Sequence, residues 1–258
     1  MHEFPVVSFD SVFGLIEIEL ASFIAITVSA LVTFLVARLA VANLSVNNPS
    51  KMQNFMEWVV DFVHNMISSA MPLKRVKPFL SLGMTLILFI FISNLLGLPF
   101  GIVTDTHHAH ESIGITEQLL EEKGGHVEIA WWKSPTADIS VTAGLALIVF
   151  VLVHYLGIKM NSKHYVKHYF HPFPVFLPVN IIETISKPVT LALRLFANIY
   201  AGEVLIATIL MLKWVGIPFL VAWQGFSIFV GGIQAFLFTM LTMVYIAQAA
   251  IHDEDEHH

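Results

Sequence analysis

Four stretches of the chain, residues 20–37, 79–104, 139–158 and 214–251, contain no Asp, Glu, Lys or Arg. Each is at least as long as the roughly 18 apolar residues that mark a membrane-spanning helix. A fifth apolar region, 173–212, is broken only by Glu183, Lys187, Arg194 and Glu203. The pattern predicts an all-α polytopic membrane protein with about five transmembrane helices. The spans fall near 12–37, 79–103, 139–158, 173–213 and 217–251, in a single membrane domain over 1–258.

Between the first two spans the pattern changes. Met52, Phe55, Met56, Val59, Val60, Val63, Met66 and Ile67 recur at helical spacing, with Gln53, Asn54, Glu57, Asp61 and Asn65 on the other face. This predicts an amphipathic helix over about 50–70, either lying in the membrane interface or docking a partner. The loop 105–138 carries Gly114, Gly124, Gly125 and six acidic residues before Asp138, so it reads as solvated and only partly ordered. The last two apolar segments are unusually long. A helix from Val179 to Leu212 would be ~51 Å long against ~30 Å of hydrocarbon, which predicts two strongly tilted helices paired around Gly216–Pro218.

Composition adds weight to this picture. With 56% hydrophobic and 12% charged residues, the chain has too little polar surface to coat a soluble globule. The first apolar segment follows Glu3, Asp10, Glu17 and Glu19, has no Lys or Arg before Arg38, and reads as a retained helix and not a cleaved signal. There is no cysteine, which excludes disulfides and thiolate metal sites. Segments 38–77 and 159–167 hold eight of the thirteen Lys and Arg residues, leaving Lys123, Lys133 and Lys213 across the membrane. By the positive-inside rule the N-terminus is outside and the C-terminus cytoplasmic. The net charge of -6 adds nothing to that orientation.

The candidate chemistry lies in the fifth region. On one continuous helix Asn180, Glu183, Lys187, Thr190, Arg194 and Asn198 share a strip about 80° wide, while Glu203 faces nearly the opposite way, ~14 Å beyond Arg194 along the axis. That geometry predicts two separate polar pockets. An arginine side chain stays charged at any accessible pH, and centring one in a bilayer costs at least ~2.5–3.5 kcal/mol. Such a residue marks an ion path or an internal salt bridge with Glu183 or Glu203. Lys187, four residues after Glu183, fits a helix-surface pair or a snorkelling cation. On the last helix Gln234 fits either an interhelical hydrogen bond or a pocket lining, with Ser227 on its face and Gly231 and Gly232 allowing close approach. Tyr245 and Gln248 fit an anchoring role at the cytoplasmic end.

The run Leu191-Ala-Leu-Arg-Leu-Phe-Ala-Asn-Ile-Tyr-Ala-Gly-Glu203, followed by Ile233-Gln-Ala-Phe-Leu-Phe-Thr-Met-Leu-Thr-Met-Val-Tyr245, resembles subunit a of bacterial F-type ATP synthases. The likeness to Bacillus-type members extends to Met52-Gln-Asn-Phe-Met-Glu-Trp58, Asn94-Leu-Leu-Gly-Leu-Pro99 and Trp131-Trp-Lys-Ser-Pro-Thr-Ala-Asp138, and covers nearly the whole chain. The resemblance implies a non-catalytic proton-channel stator in the bacterial cell membrane. Arg194 would face the ring of c subunits between two offset half-channels, and the b-subunit peripheral stalk and the lipid bilayer would be the other partners. By the same analogy Glu203, Asn198 and Gln234 line the path from outside, and Glu183 belongs to the cytoplasmic exit. Ser227 stands where some relatives carry a histidine, so water takes a larger part in the relay on that side.

Two other classes are weighed against this. A self-contained secondary transporter would bind substrate through Glu183, Lys187 and Arg194, yet such folds show paired repeats and broken helices, which are not seen in the sequence. A membrane metalloenzyme would use Thr106-His-His-Ala-His110 with His126, but no Glu is placed as in His-Glu-x-x-His, so a solvated His-rich loop is expected. The tail 252–258 reads as a solvated end. No Gly-rich phosphate loop is present, so no bound nucleotide is expected, and neither is a cofactor, a metal or nucleic acid.

Overall fold

The computed structural model describes residues 3–11, 14–97, 103–170 and 173–250; the tail read as a solvated end lies outside them. Seven helices occur among these residues: α1 (Leu20–Ala40), α2 (Lys51–Ala70), α3 (Leu73–Leu96), α4 (Glu117–Glu122), α5 (Ile139–Tyr169), α6 (Leu177–Leu210) and α7 (Ile217–Ala250). Five of the helical segments are long and apolar enough to cross a membrane. The protein is a multi-pass, all-α membrane protein in its spans. Phe34 on α1, Ile148 on α5, Ile182 on α6 and Phe229 on α7 are each more than 60% exposed, a surface that requires lipid or protein cover.

Two short hairpins sit outside the spans, β1 (Val6–Ser11) with β2 (Gly14–Glu19), and β3 (Val103–Thr106) with β4 (Val127–Ala130), both antiparallel. Residues 14–19, which the hydropathy pattern placed inside the first span, are β2, because Ile16, Glu17, Ile18 and Glu19 alternate with the period of a strand. The connection expected to be loosely ordered is folded. Ile115, Leu120, Val127 and Ile129 bury together beneath α4 and the β3–β4 hairpin, and Thr116 caps α4 by accepting from the Leu119 N–H at 3.3 Å. Isolated apolar residues at uneven spacing gave no periodic signal for this small core.

The amphipathic helix α2 docks on α3 and α7, where Met56, Val59, Val63, Met66 and Ile67 pack with Val76, Phe79, Met243 and Ile246. Two of its residues depart from the sequence pattern. Gln53 is buried and holds the incoming turn, donating to the Ser45 carbonyl at 3.1 Å and to Glu57 at 2.8 Å. Phe55 is half exposed and starts an aromatic row through Trp58 and Phe62 to Phe236 on α7. The apolar arc of α2 is wider than its neighbours can cover.

A second core joins α3, α5, α6 and α7 through Leu86, Ile90, Val149, Leu191, Leu195, Ala235 and Phe238. Helix α6 runs through Pro188 without a break, and the short turn Lys213–Gly216 returns the chain into α7, so α6 and α7 form the long hairpin that the sequence predicts.

Candidate functional site

Helix α6 carries the polar strip past two pockets at different heights. At its N-terminal end a cavity of about 360 Å³ is lined by Glu183, Lys187, His154, Tyr165, Tyr245 and Gln248 among others. Lys187 Nζ lies 3.0 Å from Glu183 and 5.6 Å from the centre of the Tyr245 ring, so the pair expected from i,i+4 spacing forms. His154 Nδ1 is 2.8 Å from the Phe150 carbonyl, which fixes that nitrogen as the N–H donor and makes Nε2 the basic one in the neutral ring. Asn180 is half-buried one turn before Glu183, and Thr190 is exposed.

Toward the other end of α6 a larger cavity, about 710 Å³, is lined by Glu203, Asn198, Ser227, Trp223, Asn94 and Ser134 among others. Glu203 Oε1 accepts the Ser134 N–H at 3.2 Å. Asn198 donates to the Gln234 side chain at 3.0 Å, and Gln234 is 2% exposed. Of the two readings of Gln234, the interhelical bond is the one observed; Gln234 reaches the cavity only through Asn198, which lines it. Behind Glu203 the hydroxyls of Ser134 and Thr136 lie 2.9 Å apart, Thr136 donates to Asn94 at 2.6 Å, and Asn94 donates to the Gly231 carbonyl at 3.0 Å.

Arg194 belongs to neither lining. It stands on the exposed side of α6 next to buried Leu191 and Leu195, about 17 Å along the axis from Glu183 and about 14 Å from Glu203. Among the described residues it has no hydrogen-bond or ion-pair partner, so the internal salt bridge with Glu183 or Glu203 does not form. The transporter alternative needs Glu183, Lys187 and Arg194 to converge on one substrate, whereas the first two close on each other and the third stands apart.

A family model described as ATP synthase A chain matches residues 21–247. The chain belongs to that family. It is 46% identical to ATP synthase subunit a of Anoxybacillus flavithermus, over 98% of this chain and 99% of that one. It is 44% identical to the subunit a of Bacillus subtilis, over 91% and 93% of the two chains, and 44% identical to that of Staphylococcus carnosus, over 98% and 99%. The ATP synthase A chain family thus accounts for the chain almost end to end.

Several residues of the site escape sequence reading. Asn94, Ser134 and Thr136 are small polar residues with no charge to flag them, and His154 sits in an apolar run. Lys133 carries a signal in the sequence only through the loop-charge asymmetry and the motif Trp131-Trp-Lys-Ser-Pro-Thr-Ala-Asp138, neither of which points to Glu203. The histidines of the 105–138 connection make local contacts: His107 Nδ1 is 3.0 Å from the Gly125 carbonyl, and its ring centre is 6.2 Å from that of His126. Among the described residues no group of three His, Asp or Glu can hold a metal ion.

Proposed function

We propose that the chain is the non-catalytic proton-channel stator of an F-type ATP synthase in a bacterial cell membrane. Its N-terminus is outside and its C-terminus is in the cytoplasm. The pocket at Glu203, Asn198 and Ser227, with Gln234 bonded to Asn198, is the half-channel open to the outside. The pocket at Glu183 is the half-channel open to the cytoplasm, with Lys187 in its lining and Asn180 and Thr190 before and after it on α6. The Arg194 face of α6 meets the c-subunit ring, and the b-subunit stalk holds the chain against rotation.

The observation that carries this reading is Arg194, a charged side chain exposed on a membrane helix between two pockets that each hold a carboxyl group. A fixed cation beside a passing c-subunit carboxylate favours its ionised form, so a proton is released on approach and regained after departure. The same charge opposes direct leakage between the pockets. Each proton crossing supplies ~2.3 kcal/mol per 100 mV, available to turn the ring only if the leak is blocked. Arg194→Ala is expected to abolish ATP-driven proton pumping in vesicles carrying the whole complex. Normal coupled pumping by that variant would overturn the assignment.

A further inference from the structure

The segment 131–138 is bonded along most of its length. Trp131 Nε1 donates to Thr104 at 2.8 Å, and Trp132 Nε1 donates at 2.9 Å to the Leu96 carbonyl, one of those that the end of α3 leaves without a helical partner. A Cβ added to Gly97 would lie 2.2 Å from the Ser134 Cβ, so the segment is seated directly on the end of α3. From the other side it is held by Lys133. Both Glu19 oxygens lie 2.6 and 2.7 Å from Lys133 Nζ, and Asp138 Oδ2 lies at 3.0 Å. The three side chains are only 11%, 23% and 13% exposed for Lys133, Glu19 and Asp138. The Phe4 ring centre is 4.5 Å from the ammonium.

A cation buried this far from water must be paired to be tolerated. Its two partners come from different elements, Glu19 from the junction of β2 with α1 and Asp138 from the residue before α5. Asp138 is itself aimed by the Ser22 hydroxyl at 2.8 Å and the Ser140 N–H at 2.8 Å. The residue that follows Lys133 is Ser134, whose N–H reaches Glu203.

We propose that Lys133, Glu19 and Asp138 form a latch that fixes segment 131–138 against α6 and so holds the Ser134 N–H on Glu203, making Lys133 a positioning residue for proton exchange there. The proposal rests on the reading of Glu203 as a proton carrier. A hydrogen bond weakens steeply as it lengthens or bends, and a fixed N–H donor favours one protonation state of a carboxyl over the other. Moving the donor therefore changes how readily Glu203 exchanges a proton.

The test measures passive proton flux through the assembled complex in vesicles. Lys133→Gln is expected to slow flux roughly tenfold, the order for a lost hydrogen bond to a charged group. Lys133→Arg restores most of the rate. In a Glu203→Gln background, itself slower than the parent, Lys133→Gln adds no further slowing. Lys123→Gln, which removes an exposed ion pair with Glu3, leaves flux unchanged. An unchanged rate in Lys133→Gln, or an equal fractional loss in both backgrounds, overturns the latch. Unchanged flux in Glu203→Gln alone overturns the reading beneath it and the latch with it. If Lys133→Gln does not assemble, Ser134→Pro removes the N–H at a residue whose φ of -62° suits proline. Flux in Ser134→Pro equal to that in Ser134→Ala overturns the proposal, and a slower rate supports it.

Discussion

Charged residues in this chain are treated in two opposite ways. Lys133, Glu19 and Asp138 are buried and mutually satisfied, whereas Arg194 is exposed on a membrane helix with no partner among the described residues. Burial pushes the Asp138 carboxyl up, but the hydrogen bonds from Ser22 and Lys133, the Lys133 charge and the Ser140 N–H together bring it down from 3.8 to about 2. A depressed folded-state value contributes stability that is complete above the ordinary carboxylate range and lost as pH falls through the folded value. For Asp138 that window runs from about pH 4 to about pH 2 and is worth about 2 kcal/mol. Asp138→Asn is therefore expected to be less stable than the parent at neutral pH in detergent, with the gap closing across that window. Parallel thermal-unfolding curves for the two proteins at every pH would contradict it.

At the level of elements, helix contacts are set by small residues and buried polar side chains as much as by apolar ridges. On α7, Gly231 lets the helix approach α3 so closely that an added Cβ would stand 3.1 Å from the Asn94 Cβ, while the Gly231 carbonyl accepts from the same asparagine. A larger residue there must push α3 away and break the chain from Asn94 through Thr136 to Ser134. Gly231→Leu is expected to cost about 1–3 kcal/mol, as overpacking does, and to lower the thermal stability of the purified chain. A stability equal to the parent would show that the helices have slack at this crossing. The α6–α7 hairpin, by contrast, could be read in advance from two apolar segments too long for a bilayer on either side of Gly216–Pro218, although the turn itself is Lys213–Gly216 and Pro218 lies in the first turn of α7. The 105–138 connection could not, since its core rests on a few residues with no helical or strand period.

Taken whole, the molecule presents α6 as a boundary, with core on one side, two pockets toward its ends, and an open apolar flank that carries Arg194. Leu193 on that flank is 46% exposed, and Phe34 on α1, which packs on α2 and α3, is 64% exposed. Because the chain has no cysteine, single cysteines report without background. Leu193→Cys is expected to cross-link to a cysteine placed beside the ring carboxylate of the c subunit, and Phe34→Cys is not. Equal cross-linking at both positions, or at Phe34 alone, would put the rotor elsewhere. The sequence by itself determined the spanning helices and the long final hairpin, since these follow from the length of the apolar segments. Only the tertiary structure decided that Arg194 stays clear of Glu183 and Glu203, that Gln53 is inside and Phe55 outside, and that a loop lysine is clamped beside Glu203. Each of those depends on contacts between residues far apart in the chain, which no local period encodes.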